Sequence, residues 1–196
     1  ASLEANHISN YAVLGVAAEQ VISGRQMHSC RIVRVGANEA GRIVGPADAL
    51  ITTERGLALL QRYADCVPVL LAGPGVIGIA HAGWRGTLAQ ISAKTARAMA
   101  EAAGCQPREI VAGIGPSIGP CCFEVGPEVA FAFKRAFPNV WPLWLREGAN
   151  GKARLDLWEA NAAQLRAVGV REIEVAGVCT RCRRDLYFSH RGDGGH

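Results

Sequence analysis

The sequence has no long apolar run, no segment typical of a secretory leader among its first residues and no strong charge of either sign. No apolar run reaches the roughly eighteen residues that a membrane helix needs, so we expect no membrane partner. The first residues show no basic segment followed by an apolar stretch, which predicts no signal peptide and a cytoplasmic protein. The net charge is only +4, and no aromatic residues interleave with the basic cluster at 181–184. We therefore expect no nucleic-acid partner.

Several catalytic motifs are also missing. There is no Walker phosphate loop and no His-Glu-x-x-His helix, nor the His-x-Glu and Pro-Cys-x-x-Cys signature of zinc nucleobase deaminases. The seven cysteines form no regular framework, which favours free thiols in a reducing compartment. What is present is 49% hydrophobic residues with 23 glycines and 9 prolines. This composition suits a turn-rich core, and we expect residues 1–196 to form one domain.

A hairpin is the best-defined feature of the chain. Two apolar runs, Val67–Ala72 and Val76–Ala80, are joined at Pro74-Gly75, a pair that favours a tight turn. If the hairpin is symmetric about this pair, Cys66 lies opposite Gly83 and on the same face as His81. Their Cβ atoms would then be about 7–8 Å apart or somewhat less, close enough for both side chains to bind one metal ion.

Three interpretations of this pair stay open on the sequence alone. Cys66 and His81 could bind zinc with His28 as a third ligand, leaving a fourth position for substrate or water. Alternatively, Cys66 could be a nucleophile and His81 its base, without a metal. The third interpretation is that Cys66 is an ordinary buried strand cysteine.

The remaining periodicity predicts a mixture of strands and helices. The predicted strands are Ile32–Val35, Ala49–Thr52, Glu109–Ile114 and Ile173–Ala176. The predicted helices are a turn at Gly56–Tyr63, Leu88–Ala103 ended by Gly104, Pro127–Phe137, and a helix capped by Asp156 that runs to Val168. Because the second helix begins soon after His81, its N-terminus together with Arg85 could attract phosphate or carboxylate.

Two cysteine pairs are ambiguous. Cys179 and Cys182 have Cys-x-x-Cys spacing, but no second such pair exists to complete a structural zinc site. Cys121 and Cys122 are not expected to form a metal pair, because adjacent side chains rarely converge on one ion. They lie in a loop rich in glycine and proline, a kind of segment that often lines functional sites.

Five blocks of sequence carry a family resemblance that extends over about residues 24–192. The blocks are Gln26-Met27-His28-Ser29, Ala64-Asp65-Cys66-Val67-Pro68-Val69, His81-Ala82-Gly83-Trp84-Arg85-Gly86, the segment 114–126 and Cys179-Thr180. In these blocks the chain resembles the polyphenol oxidase/laccase-domain family, also known as the peptidoglycan editing factor or multifunctional purine nucleoside phosphorylase family.

The resemblance implies a fold, an activity and a metal. It implies an α+β fold, a four-layer α/β/β/α sandwich with mixed sheets, similar to the cytotoxic necrotizing factor-like cysteine hydrolases. It implies phosphorolysis of adenosine, inosine, guanosine and methylthioadenosine, deamination of adenosine, and zinc bound by His28, Cys66 and His81. Copper is the less favoured ion, because multicopper oxidases need many more histidines than the five present here.

We therefore expect a zinc enzyme whose partners are a nucleoside and phosphate. The hypothesis assigns catalysis to Cys66, His81 and Arg85, and substrate binding to Asp65, Ser117 and Arg85. The alternative is a metal-free Cys/His hydrolase that acts on an amide bond in peptidoglycan precursors.

Overall fold

The computed structural model of this chain describes residue 11 and residues 15–194. The strands are β1 Val21–Gly24, β2 Ile32–Arg34, β3 Ile43–Val44, β4 Ala49–Thr52, β5 Ala58–Leu60, β6 Val67–Gly73, β7 Val76–Ala82, β8 Val111–Ile114, β9 Glu124–Val125, β10 Leu145–Glu147, β11 Ala153–Leu155 and β12 Glu172–Val175. The α-helices are α1 Trp84–Leu88, α2 Ile91–Ala103, α3 Pro127–Ala136, α4 Trp141–Trp144 and α5 Leu157–Ala167.

A six-stranded sheet forms the centre, in the order β12-β8-β6-β7-β4-β2. Its middle strands are antiparallel, whereas each edge strand runs parallel to its neighbour. Two three-stranded sheets flank it, a parallel β3-β1-β5 sheet and an antiparallel β10-β11-β9 sheet. The chain thus has a mixed α+β fold with several sheets, as the sequence predicts at this coarser level.

The predicted hairpin is confirmed, including its register. Gly73 pairs with Val76 and Val67 with Ala82 across β6 and β7, so the turn contains only Pro74 and Gly75. Gly75 has φ of 69°, the left-handed conformation that glycine adopts without steric cost. Continued by one pair, this register places Cys66 opposite Gly83, which is the parity on which the predicted metal pair depends.

The main core lies between the central sheet and the helices. Helix α2 packs on β4, β6 and β7 and also contacts α5. Along β6 the buried residues alternate, as expected for a strand with one face on the core. Fully or nearly fully buried side chains from these elements form one continuous cluster, among them Val67, Val69, Ile91, Met99 and Leu165. The candidate site described below lies at the C-terminal end of β7, a strand that this core holds in place.

Most predicted elements are confirmed within a few residues. The strands near residues 32, 49, 111 and 173 are present, and the helices at 127 and 157 begin where proline and the Asp156 cap predict. Asp156 accepts a hydrogen bond from the Glu159 N–H at 3.0 Å, as an N-cap residue should. Gly104 ends α2 in the left-handed conformation.

One predicted element is wrong, and another begins later than predicted. The segment Gly56–Tyr63 contains strand β5 and no helical turn, because it pairs with β1 in a parallel sheet that local spacing does not reveal. The helix predicted over Leu88–Ala103 is confirmed as α2, but it begins at Ile91, since Gln90 has φ of 61° and separates it from the short helix α1. Helix α1 has only five residues, so the predicted anion site at a helix N-terminus beside Arg85 lacks a helix long enough to support it.

The hairpin turn can be tested by a pair of glycine substitutions. A Cβ at Gly75 meets no atom within 4 Å, so Gly75→Ala should destabilise only through its positive φ, by about 1 kcal/mol. Gly113 in β8 also has open space but no positive φ, so Gly113→Ala is the matched control. Denaturant unfolding measures both; equal stability of the two variants would contradict the role given to the turn.

Candidate active site

A cavity of about 760 Å³ opens where β6 begins and β7 ends. Its wall combines three kinds of side chain drawn from distant parts of the chain. They are potential metal ligands (His28, Cys66, His81), arginines (Arg62, Arg85, Arg191) and aromatic residues (Tyr63, Trp84, Phe123, Phe188). Such a concave site with a few convergent polar groups is typical of small-molecule binding.

The three predicted metal ligands converge in this cavity. Each of His28, Cys66 and His81 offers one ligand atom, and these atoms all lie within 4.8 Å of one another. His81 is on β7, Cys66 directly precedes β6, and His28 lies in the loop between β1 and β2. The histidine rings meet edge to face with centroids 4.9 Å apart. The hairpin supplies two of the ligand positions, and a loop supplies the third.

Asp48 holds the His28 loop in place. This carboxylate is fully buried just before β4. It accepts hydrogen bonds from the backbone N–H groups of Met27, His28 and Ser29 and from the Ser29 hydroxyl, at 2.6–3.2 Å. His28 has φ of 58°, an unfavourable conformation for a residue other than glycine, and these bonds offset its cost.

The same carboxylate orients His81. Nδ1 of His81 lies 2.9 Å from Asp48 Oδ1, which assigns the proton to Nδ1 and leaves Nε2 as the available ligand atom. Burial, reinforced by the nearby His28, lowers the pKa of His81, although Asp48 opposes this shift. Burial alone would raise the pKa of Asp48, but the bonds from Ser29 and His81 keep it below its usual value. A neutral imidazole held by a carboxylate is the arrangement typical of metal-binding histidines.

The surroundings of Cys66 disfavour a free thiolate. Burial raises the pKa of the Cys66 thiol to about 11, and the negative charges of Asp65 and Asp48 add to the effect. Without a cation, this thiol is therefore mostly protonated near neutral pH, which is unlike the activated cysteine of a metal-free nucleophile. A bound divalent cation would reverse the balance, because the thiolate is the form that ligates.

Gly83 leaves room for two of these side chains. A Cβ at this position would lie 2.9 Å from Cys66 Sγ and 3.4 Å from His28 Cδ2. The absence of a side chain at residue 83 is thus a condition for the approach of Cys66 and His28.

Arg85 and Asp65 reach the cavity in different ways. Arg85 is exposed and lines the cavity, with its guanidinium carbon 4.3 Å from the centroid of the Trp84 ring. Asp65 also lines it, but both carboxylate oxygens are occupied. They accept 2.7 Å hydrogen bonds from the Thr180 hydroxyl and from the Arg191 backbone N–H. Asp65 therefore joins the loop before β6 to the C-terminal segment, and its contact with substrate stays a prediction.

Ser117 is not among the described residues that line the cavity, and its contact with substrate stays a prediction. It is fully buried, and its hydroxyl accepts a 2.6 Å hydrogen bond from Trp158 Nε1 and contacts the Gly115 carbonyl. Residues 115–119 have the Gly-x-Ser-x-Gly spacing of a nucleophile elbow. This buried serine precedes no helix and has no imidazole among its hydrogen-bond partners, so the spacing carries no catalytic meaning here.

Sequence reasoning missed several further residues of the site, among them Asp48, Phe188 and Arg191. Asp48 is a lone carboxylate before the apolar strand β4, and its burial leaves no local signal because its partners are distant in the sequence. Arg191 and Phe188 come from the irregular C-terminal segment, which folds back over the cavity. No local pattern predicts that return, because it depends on the contacts of Asp65 with Thr180 and Arg191.

Comparison with known proteins places the chain in context. The family model described as "Multi-copper polyphenol oxidoreductase laccase" matches residues 1–196. The chain is 38% identical over 188 residues to purine nucleoside phosphorylase YlmD of Geobacillus stearothermophilus, covering 90% of this chain and 69% of that protein. It is 37% identical over 189 residues to adenosine deaminase RL5 of an unknown prokaryotic organism, covering 91% and 72%.

Two solved structures have a similar fold. The structure of YfiH from Bacillus licheniformis matches with a TM-score of 0.92 and 32% identity, over 97% of this chain and 76% of that one. That of YlmD from Geobacillus stearothermophilus matches with a TM-score of 0.92 and 36% identity, over 97% and 74%.

The role of Asp48 can be tested without removing any ligand. Asp48→Asn keeps the size of the side chain but places an NH₂ group among donors and removes the charge that orients His81. If these residues bind a metal, we expect the affinity for it, measured with zinc by competition with a chromophoric chelator, to fall by about 10- to 100-fold. Asp156→Asn is the matched control, because it caps α5 and asparagine caps equally well. Wild-type affinity in Asp48→Asn would contradict the assigned role.

Proposed function

The chain belongs to the multi-copper polyphenol oxidoreductase laccase family, and from that membership we propose that it is a zinc-dependent purine nucleoside phosphorylase that also deaminates adenosine. One observation carries the proposal. The ligand atoms of His28, Cys66 and His81 converge within 4.8 Å in a cavity that is also lined by arginines and aromatic rings. The relatives named for these two activities support the choice of reaction.

The three side chains fit a zinc ion with an open position. Two imidazoles and one thiolate are ligands that zinc prefers, and three protein ligands leave the fourth position of a tetrahedron for substrate. Metal-binding histidines usually donate their second ring N–H to a carboxylate, and Asp48 accepts such a hydrogen bond from Nδ1 of His81. When bound, zinc supplies a Lewis acid that polarises an oxygen atom of the substrate or of water. Copper is less favoured, because the whole sequence has five histidines.

The charge of the cavity favours an anionic co-substrate. Arg62, Arg85 and Arg191 all line it. The acidic side chain that also lines it, Asp65, uses both oxygens for internal hydrogen bonds. A guanidinium binds phosphate through two parallel hydrogen bonds, so a lining that contains arginines suits inorganic phosphate.

The aromatic residues suit a purine base. Trp84, Phe123 and Phe188 present ring surfaces to the cavity, and Phe188 is 84% exposed although it is large and apolar. A ring left this open to solvent gains by stacking on a flat base, an interaction worth about 1–3 kcal/mol per base. We assign these rings to base binding and the arginines to phosphate.

The proposed phosphorolysis forms one bond and breaks one bond at C1′ of the ribose. A phosphate oxygen forms a bond to C1′ of the ribose as the bond from C1′ to the base nitrogen breaks, and the purine leaves with that electron pair and takes up a proton. Residues that hold phosphate and base on opposite sides of C1′ accelerate this step by positioning. Arg85 is proposed to hold the phosphate and its developing charge. Cys66 and His81 are assigned to catalysis through the ion they would hold with His28.

Other predictions from the sequence stay proposals. They are the four-layer α/β/β/α arrangement with its similarity to cytotoxic necrotizing factor-like hydrolases, the cytoplasmic location, the absence of a nucleic-acid partner and a single domain over residues 1–196. Within residues 15–194, no helix combines the length and apolar character needed to cross a membrane.

The proposed activity predicts phosphate-dependent release of hypoxanthine from inosine by zinc-loaded protein. Cys66→Ala and His81→Ala should each lower turnover by at least about 100-fold, since each removes a ligand of a three-ligand site. Cys105→Ala is the matched control, because this half-buried cysteine belongs to neither the cavity nor the ligand set. Unchanged turnover in both ligand variants would reject the assignment.

Chelation separates this function from the metal-free alternative. A zinc enzyme should lose activity in chelator and recover it when zinc is restored. A cysteine hydrolase acting on peptidoglycan precursors would instead keep its activity in chelator and lose it on alkylation of Cys66. The raised pKa of Cys66, caused first by burial, favours the first outcome.

The role of Arg85 predicts a change in the response to phosphate. Arg85→Gln should raise KM for phosphate by about tenfold or more, because a charge-assisted hydrogen bond contributes about 1.5–3 kcal/mol. KM for inosine should change less. Arg97→Gln on α2 is the matched control, since Arg97 is exposed and does not line the cavity. Equal KM values for phosphate in the two variants would count against Arg85 as its ligand.

A further inference from the structure

A second group of potential metal ligands lies outside the three-residue set. The sulfur atoms of Cys121, Cys122, Cys179 and Cys182 all lie within 4.8 Å of one another. We propose that these four cysteines bind a structural zinc ion that fastens the C-terminal segment over the cavity. The sequence-based expectation that Cys121 and Cys122 form no metal pair is thereby revised.

Two of the sulfur separations are close to those of a tetrahedral zinc site. Cys182 Sγ lies 3.8 Å from Cys121 Sγ and 3.5 Å from Cys122 Sγ. In a regular tetrahedron with zinc–sulfur bonds of about 2.3 Å, neighbouring sulfurs are about 3.8 Å apart. Four sulfurs this close enclose one ion and leave no space for a multi-iron cluster. Tetrahedral coordination by four thiolates is a preference of zinc.

Backbone pairing between two distant segments brings the cysteines together. Ser117 and Cys179 form an isolated parallel bridge. In it the Ser117 N–H donates to the Val178 carbonyl and the Thr180 N–H donates to the Ser117 carbonyl, both at 3.1 Å. A turn closed by Gly119 then carries Cys121 and Cys122. Backbone hydrogen bonds alone therefore bring the pair Cys121 and Cys122 next to the pair Cys179 and Cys182, without a disulfide.

One backbone donor and one cation lie beside the four cysteines. The Gly119 N–H donates to Cys179 Sγ at 3.3 Å. Four thiolates and Zn²⁺ would carry a net charge of −2. The Arg154 guanidinium donates to the Cys121 carbonyl, which brings one positive charge to a residue of the group. Positive charge at this position lowers the cost of that net negative charge.

The placement of the group indicates what the ion would do. Residues 179–194 contain no helix or strand, yet they supply Phe188, His190 and Arg191 to the cavity wall. The loop that carries Cys121 and Cys122 lies between Ile118 and Phe123, which also line the cavity. Zinc with four protein ligands has no open position and stabilises structure, so here it would join two parts of the wall.

Zinc content measured by elemental analysis tests the proposal. We expect about two zinc ions per wild-type chain and about one in a Cys122→Ser/Cys182→Ser double variant. The His28→Ala/His81→Ala variant should lose the ion of the three-residue site and keep the ion of the four-cysteine site. The two double variants therefore show separately whether each site binds zinc. Cys105→Ser is the matched control and should keep both ions. An unchanged zinc content in the Cys122→Ser/Cys182→Ser variant would overturn the proposal.

A measurement on wild-type protein covers the case in which the double variant does not fold. A thiol reagent should react with fewer cysteines in zinc-loaded wild type than in chelator-treated protein. The His28→Ala/His81→Ala variant gives the contribution of Cys66 to this difference, and four protected thiols should remain after that contribution is subtracted. Cobalt(II) in place of zinc should give the intense near-ultraviolet absorption of a tetrahedral four-thiolate complex. Equal thiol counts with and without chelator, or a mass lower by the hydrogens lost in disulfide formation, would contradict a zinc site.

Discussion

The buried carboxylate of Asp48 is the constraint on which the candidate active site depends. It accepts hydrogen bonds from three successive backbone N–H groups of the loop that carries His28, and it lies 2.9 Å from Nδ1 of His81. A buried charge is tolerated only when its hydrogen-bonding capacity is used. That requirement fixes the loop, the conformation of His28 and the tautomer of His81 together, so two of the three ligands are positioned by one side chain.

The opposite side of the cavity depends on a second carboxylate. Asp65, just before β6, is also buried, and its carboxylate oxygens accept hydrogen bonds from the Thr180 hydroxyl and the Arg191 backbone N–H. It also has φ of 82°, and its carbonyl accepts from the Ile118 N–H. These contacts hold the C-terminal segment beside Cys66. The two acids thus order four separate segments around one cavity, and the four-cysteine group would strengthen the contact that Asp65 begins.

The predictable part of the site follows from local rules. A two-residue turn at Pro74-Gly75 fixes the parity of β6 against β7, and this parity alone places Cys66 and His81 on one face. Asp48, Arg191 and the cysteine group could not be found in this way, because their partners are distant in sequence. The same reason explains β5, which is stabilised by parallel pairing with β1. The start of α2 at Ile91 follows from the left-handed conformation of Gln90, which helical periodicity does not reveal.

The most direct test of the central claim is a crystal structure of zinc-loaded protein with anomalous scattering measured at the zinc edge. The account predicts an anomalous peak within about 2.0–2.3 Å of Cys66 Sγ, a ring nitrogen of His28 and Nε2 of His81, with Nδ1 of His81 still facing Asp48. A zinc-loaded crystal with no peak among these three side chains, or with the ion on Nδ1 in place of the Asp48 contact, would contradict it.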